Sequence, residues 1–197
     1  MNKENGLLVV VSSPSGGGKT TIIKQVIKLH PEYCYSISMT TRKMRPGEVN
    51  GRDYIFVSEK EFLNAVEHEN LIEYEKVHGC YYGTPLNKLI ELLDQNKVVF
   101  LDLDVYGALR LKKKFADRAV LIFLKPPDEK ALVERLVKRS TETDEQIKKR
   151  LQRMPEEIKL AERFDHIIVN NELEETVLKV NKLVEQEKSK LSFLEVK

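Results

Sequence analysis

Apolar residues along this chain fall into two patterns. Four unbroken runs, Leu7 to Val11, Val98 to Leu101, Ala119 to Leu124 and Ile167 to Val169, have no polar alternation. Continuous runs of this kind predict strands covered on both faces, as in a parallel sheet between helices. Tyr33 to Ser38 alternates more and predicts an additional strand, making about five. Between the runs the period lengthens to that of a helix. Ile22, Ile23, Val26 and Ile27 share one face of a helix over Thr20 to Leu29, which His30-Pro31 closes. Asp128 is placed to cap a helix that buries Leu132, Val133, Leu136 and Val137. Thr143 with Gln146 reads as a capping box opening a highly charged helix, which Pro155 should kink or restart. A last helix is expected from about Glu172 to Lys188, with Leu173, Val177, Val180 and Val184 inward. Strands alternating with helices predict an α/β, doubly wound parallel sheet.

From Ser36 to about Leu93 the pattern breaks. Short strand candidates at Tyr54 to Val57 and Leu71 to Val77 flank a short helix announced by a Ser58–Glu61 capping box. This predicts a small mixed α/β insertion. The expected divisions are core at 1–35, 94–134 and 156–197, the insertion at 36–93, and a basic helical segment at 135–155.

Length and composition then narrow the class. The 197 residues fit one compact domain, and 41% hydrophobic with 32% charged residues suits a globular protein with a real core. The 33 Lys+Arg against 31 Asp+Glu leave a net charge of +2, no reason to expect a nucleic-acid or membrane surface. Cys34 and Cys80 have no metal or scaffold spacing and read as reduced thiols. No run reaches the roughly 20 apolar residues of a membrane span. The N-terminal run is too short for a signal core, so the cytoplasm is expected.

The strongest chemical signal follows the first strand: Ser13, Pro14, Ser15, Gly16, Gly17, Gly18, Lys19 and Thr20. It fits the phosphate-loop pattern G-x-x-x-x-G-K-[ST] with Ser13 in place of the first glycine. Glycines let backbone N–H groups approach phosphates, and the helix start adds its dipole. Lys19 is suited to bridge β- and γ-phosphates, and the Thr20 hydroxyl to bind Mg²⁺. Asp102 and Asp104 end a buried strand beside this loop, where Mg²⁺ is organised, often through water; the alternative is two carboxylates that cap a following loop or helix.

The insertion supplies the second half of a site. Arg42 and Arg45 lie three apart in a hydroxyl-rich loop from Ser36 to Glu48, and guanidinium forks match phosphate oxygens. Gly51-Arg52-Asp53-Tyr54, Glu73 and Tyr81-Tyr82-Gly83-Thr84 follow. The phosphate loop, the T-T-R-x-x-R-P-G-E run, the G-x-D-Y run, the Y-Y-G-T run and the D-x-D strand end resemble the guanylate kinase family in order and spacing, from Leu7 to Asn170.

The resemblance implies a P-loop NTPase-type core with a GMP-binding insertion and a helical lid, transferring the γ-phosphate of ATP to GMP with Mg²⁺ as cofactor. It implies ATP contacts from Ser13 through Thr21 and at Arg135 and Asn170, the last near the adenine. Arg42, Arg45, Tyr54 and Tyr82 would hold the GMP phosphate, and Ser38, Glu73, Thr84 and Asp104 would face the guanine. Lys19, Arg42, Arg139 and Arg150 would act on the transferring group, and Thr20 and Asp102 would hold the metal. Glu73 also fits on chemistry, since guanine N1–H and its exocyclic amine are paired donors. Adenine there would leave a carboxylate unpaired, at about 1–3 kcal/mol or more. Without the resemblance Glu73 reads as an exposed strand residue, and Tyr54 and Tyr82 as packing aromatics. Lys148, Lys149 and Arg153 read as a solvated helix face.

Four positions depart from the family pattern: Ser13, Tyr106 where glutamine is usual, Ser140 for a lid glycine, and Pro155. The partners expected are ATP and GMP, in a monomer or homodimer. dGMP is expected as a second acceptor because nothing in the sequence reads the ribose 2′-hydroxyl. Two competing readings are a silent guanylate-kinase-like binding module and a P-loop kinase with another phosphorylated acceptor. The presence of Lys19, Arg42, Arg139 and Arg150 argues against the first, and Glu73 against the second.

Overall fold

The computed structural model of the chain describes residues 6–14, 16–77, 79–128, 130–133 and 144–194. In order these form β1 (Leu7–Ser12), α1 (Lys19–Leu29), β2 (Cys34–Tyr35), β3 (Met39–Thr40), β4 (Ile55–Phe56), α2 (Glu59–Glu67), β5 (Leu71–Val77) and β6 (Cys80–Pro85). Then come α3 (Leu86–Asp94), β7 (Val98–Asp102), α4 (Val105–Phe115), β8 (Ala119–Lys125), α5 (Asp144–Leu160), β9 (His166–Val169) and α6 (Leu173–Leu194).

Five strands pair in the order β2-β7-β1-β8-β9, all parallel. Every β1 residue is buried. Leu7, Val9 and Val11 pack with Ile22, Ile23 and Val26 of α1 and Val177, Val180 and Val184 of α6. Leu8 and Val10 pack on the other face with Leu89 and Leu93 of α3 and Val105, Ala108 and Leu111 of α4. Helices on both faces make the unbroken apolar runs physically sensible, since neither side of the strand meets water. The edge strand β9 departs from this: Ile167 and Val169 remain about half exposed.

A second sheet pairs β4-β3-β6-β5, mostly antiparallel, and rests on Phe62 of α2. The Ser58–Glu61 capping box is formed in both directions, Ser58 Oγ accepting from Glu61 N at 3.2 Å and Glu61 Oε2 from Ser58 N at 2.7 Å. Asp128 accepts from Ala131 N at 2.7 Å, as its capping role requires.

The restart expected at Pro155 does not occur. One helix spans Asp144–Leu160 with Pro155 inside it. Leu151, Met154 and Ile158 pack with Leu132 on both sides of the proline, so burial carries the helix past the lost N–H. Leu173, expected inward, is exposed at the first turn of α6, and that helix runs beyond Lys188 to Leu194. Thr143 lies outside the described residues.

Candidate active site

The phosphate loop leaves the carboxyl end of β1 next to the carboxyl end of β7, the edge at which parallel α/β sheets hold ligands. Gly16 and Gly18 have φ of 83° and 89°, a left-handed backbone that leaves the turn open. Gly17 N–H donates to the Pro14 carbonyl at 2.9 Å. A side chain at Gly17 would have its Cβ 2.4 Å from Ser13 Oγ, so the serine at the first position makes glycine obligatory four residues on. Lys19 Nζ donates to the Ser13 carbonyl at 3.2 Å and lies 3.4 Å from Ser13 Oγ, which folds the ammonium back over the loop. Thr21 is exposed on α1, and Ser15 lies outside the described residues.

At the start of α1, Thr20 Oγ1 donates to Asp102 Oδ2 at 2.8 Å. The other Asp102 oxygen accepts from Tyr35 OH at 2.7 Å. Burial, and then Asp102, push the Tyr35 hydroxyl well above the ordinary tyrosine range, so it stays a donor. Thr20 and Asp102 thus present hard oxygen ligands at the helix start, a donor set that fits Mg²⁺. Asn170, 5% exposed, donates from Nδ2 to the Gly17 carbonyl at 2.8 Å. Its amide braces the phosphate loop from the far end of β9.

The four-stranded sheet gathers the other predicted residues. Arg42 donates to Glu48 through both terminal nitrogens, at 2.7 and 3.0 Å, and stacks over Tyr54 at 5.3 Å. Tyr54 meets Tyr82 edge-on with centroids 6.0 Å apart. Arg45 is exposed, with its backbone N–H on Glu48 at 2.7 Å. Glu73 accepts from Thr84 Oγ1 at 2.7 Å. Burial pushes the Glu73 carboxyl above its ordinary range despite that bond. Ser38 is half-buried and its carbonyl accepts from Ile55 N at 2.9 Å.

Asp104 caps α4, accepting from Gly107 N at 2.6 Å. Burial works against its charge, but hydrogen bonds from Glu75 and Gly107 and the charges of Arg110 and Lys19 hold the carboxyl below its ordinary range. Gly107 lets the two carboxylates approach. A Cβ there would lie 3.2 Å from Asp104 Oδ1 and 3.5 Å from Glu73 Oε2.

Arg135 and Arg139 lie outside the described residues, and so does the side chain of Arg150 on α5. Tyr106, at the unusual position, donates its hydroxyl to Glu156 and so ties α4 to α5.

Four contributors escaped the sequence reading: Tyr35, Glu48, Glu75 and Arg110. Tyr35 and Glu48 stand inside the quoted strand and arginine loop. Only their partners reveal them, because neither spacing nor residue type distinguishes them from surface residues. Glu75 could have been found from its distance of two from Glu73 on one strand.

Residues 5–187 match the family model described as Guanylate kinase. The chain is 44% identical over 185 residues to a guanylate kinase of Lactococcus lactis subsp. lactis, covering 94% of this chain and 90% of the relative. It is 46% identical to one of Streptococcus thermophilus, covering 93% and 88%. Among solved structures, guanylate kinase from Anaplasma phagocytophilum superposes with a TM-score of 0.75 at 31% identity, covering 94% of this chain and 88% of the other.

Proposed function

The chain belongs to the guanylate kinase family and is an ATP:GMP phosphotransferase, and we propose that the two nucleotides meet between the phosphate loop and the four-stranded sheet. The observation that carries the acceptor assignment is the Glu73–Thr84 pair, a carboxylate and a hydroxyl joined at 2.7 Å on the sheet that also holds Arg42, Tyr54 and Tyr82. The carboxylate accepts from guanine N1–H and the exocyclic amine, and the Thr84 hydroxyl turns its proton toward O6. Asp104 completes that end. Arg42 and Arg45 hold the GMP phosphate with the hydroxyls of Tyr54 and Tyr82, and Ser38 closes the pocket above the base.

On the donor side, the backbone from Ser13 to Thr21 cradles the ATP phosphates, and Lys19 swings from Ser13 onto the β- and γ-oxygens. Thr20 and Asp102 would hold Mg²⁺, the latter through water, and the ion when bound neutralises charge on the phosphate oxygens. Arg135, Arg139 and Arg150 belong to a lid over residues 135–155 that excludes water and brings positive charge to the transferring group. The segment 36–93 is the acceptor unit, and the remainder is the core. dGMP is a second acceptor. The enzyme is cytoplasmic and works as a monomer or homodimer. Among the described residues no helix is long and apolar enough to cross a membrane.

The test is ADP formation from ATP and Mg²⁺ with GMP, AMP, CMP and UMP offered separately. Turnover with GMP alone is expected. Comparable turnover with AMP would remove Glu73 from its assigned role.

A further inference from the structure

Glu75 lies two residues along β5 from Glu73; although the ladder is irregular between Leu71 and Tyr74, Glu73 and Glu75 are both half-buried while Tyr74 and Lys76 are exposed, so the two glutamates share one face of the strand. The ladder sets Glu75 opposite Tyr82 on β6, while Glu73 is bonded to Thr84, two residues further along that strand. This face therefore runs from Arg42, Tyr54 and Tyr82 at one end, through Glu75, to Glu73 and Thr84 at the other. The step from Glu73 to Glu75 is about 6–7 Å along the strand, comparable with the separation of base and sugar in a nucleotide. Glu75 is half-buried, and its carboxyl is within hydrogen-bonding reach of Asp104.

We propose that Glu75 is a specificity-determining residue for the acceptor: its carboxylate accepts hydrogen bonds from the 2′- and 3′-hydroxyls of the ribose, so GMP is favoured over dGMP. The proposal rests on the acceptor reading above, in which Tyr82 faces the phosphate and Glu73 the base. A carboxylate with two oxygens matches a vicinal diol with two O–H donors, and an acidic side chain reads ribose hydroxyls in the same way in dinucleotide-binding folds. Asp104 stands beside Glu75 and is itself fixed by the Gly107 N–H at the start of α4.

The test is steady-state kcat/KM for GMP and for dGMP in the full chain, Glu75→Ala and Glu75→Gln. The unaltered enzyme should favour GMP by about tenfold or more, the effect of deleting a hydroxyl that bonds a charged group. Glu75→Ala should bring the ratio to within about twofold of one, and Glu75→Gln, which keeps one acceptor oxygen and the side-chain shape, should fall between. An unaltered enzyme that uses both acceptors equally would overturn the proposal. So would an unchanged GMP:dGMP ratio in both variants, as when Glu75 merely supports Asp104 and both acceptors suffer alike. Thermal melts verify that the variants fold, and Glu75→Gln decides the matter if the alanine variant does not. Failure of the acceptor reading itself would show separately, as loss of discrimination between GMP and AMP in the unaltered enzyme.

Discussion

Glu48 holds the Arg42 guanidinium in a two-bond fork, with its oxygens 2.7 and 3.0 Å from the two terminal nitrogens, while also accepting from Arg45 N–H at 2.7 Å. The Arg42 fork leads what keeps the Glu48 carboxyl below its ordinary range. One carboxylate therefore sets both arginines of the loop. Arg42 also donates to the Lys43 carbonyl at 2.7 Å. Glu48→Ala should lower kcat/KM for GMP about tenfold, since losing a bond to a charged group is worth roughly 1.5–3 kcal/mol. The KM for ATP should stay nearly constant. Tighter GMP binding in this variant would show instead that Glu48 competes with the phosphate.

Glu73 carries a cost that its proposed contact with guanine would require. Because burial raises its carboxyl pKa, ionisation weakens the fold as pH rises above the ordinary glutamate range, and the protonated form is the better-tolerated one. Glu73→Gln keeps an acceptor for Thr84 and removes the charge. It should raise Tm at pH 7.5 by about 2–4 °C, the shift that roughly 1 kcal/mol produces at this chain length, while the KM for GMP rises steeply. In the unaltered enzyme the KM for GMP should climb as pH falls through the raised Glu73 pKa, because a protonated carboxyl loses its second acceptor. A pH profile of KM, flat in Glu73→Gln, checks this.

Tyr35 fixes Asp102 from the side opposite Thr20. In Tyr35→Phe the carboxylate keeps one anchor and turns more freely. The KM for MgATP should rise about fivefold, roughly 1 kcal/mol, and titration of Mg²⁺ at fixed ATP should shift to higher concentration. An unshifted Mg²⁺ titration would detach Asp102 from the metal.

Asn170 closes the phosphate loop from 153 residues away. Asn170→Ala leaves the buried Gly17 carbonyl short of a donor, at about 1–3 kcal/mol. A drop in Tm of about 3–8 °C is expected, together with weaker ATP binding by calorimetry. Full ATP affinity in the variant would mean that the loop holds its shape unaided.

The buried strands were the most legible part of the chain, because a strand covered on both faces shows as an unbroken apolar run. The phosphate loop was equally plain, since Gly16, Gly18 and Lys19 serve local geometry. The helices α3 and α4 and the strands β3 and β6 were not. β3 has two residues, and β6 interleaves Tyr81, Tyr82 and Thr84 without a clear period. Helix α4 begins at Asp104, whose capping use stood in the sequence only as the alternative to metal chemistry, with no helix named behind it. At the site, the residues proposed for direct contact with the nucleotides carry residue types that suggest it. Those acting through a neighbour, Tyr35 through Asp102 and Glu48 through Arg42, appear only when the chain is folded.

The strand order has a bearing on how the enzyme is born. The ribosome delivers β1 and the phosphate loop early, yet β1 sits between β7 and β8, about 90 and 110 residues downstream, and the Asn170 brace is later still. At a synthesis rate of about 5–20 residues per second, the most apolar strand waits several seconds for its neighbours. Nucleotide competence should then arrive abruptly once Asn170 has emerged, and until then Leu7 to Val11 is the segment that a nascent-chain chaperone would shield.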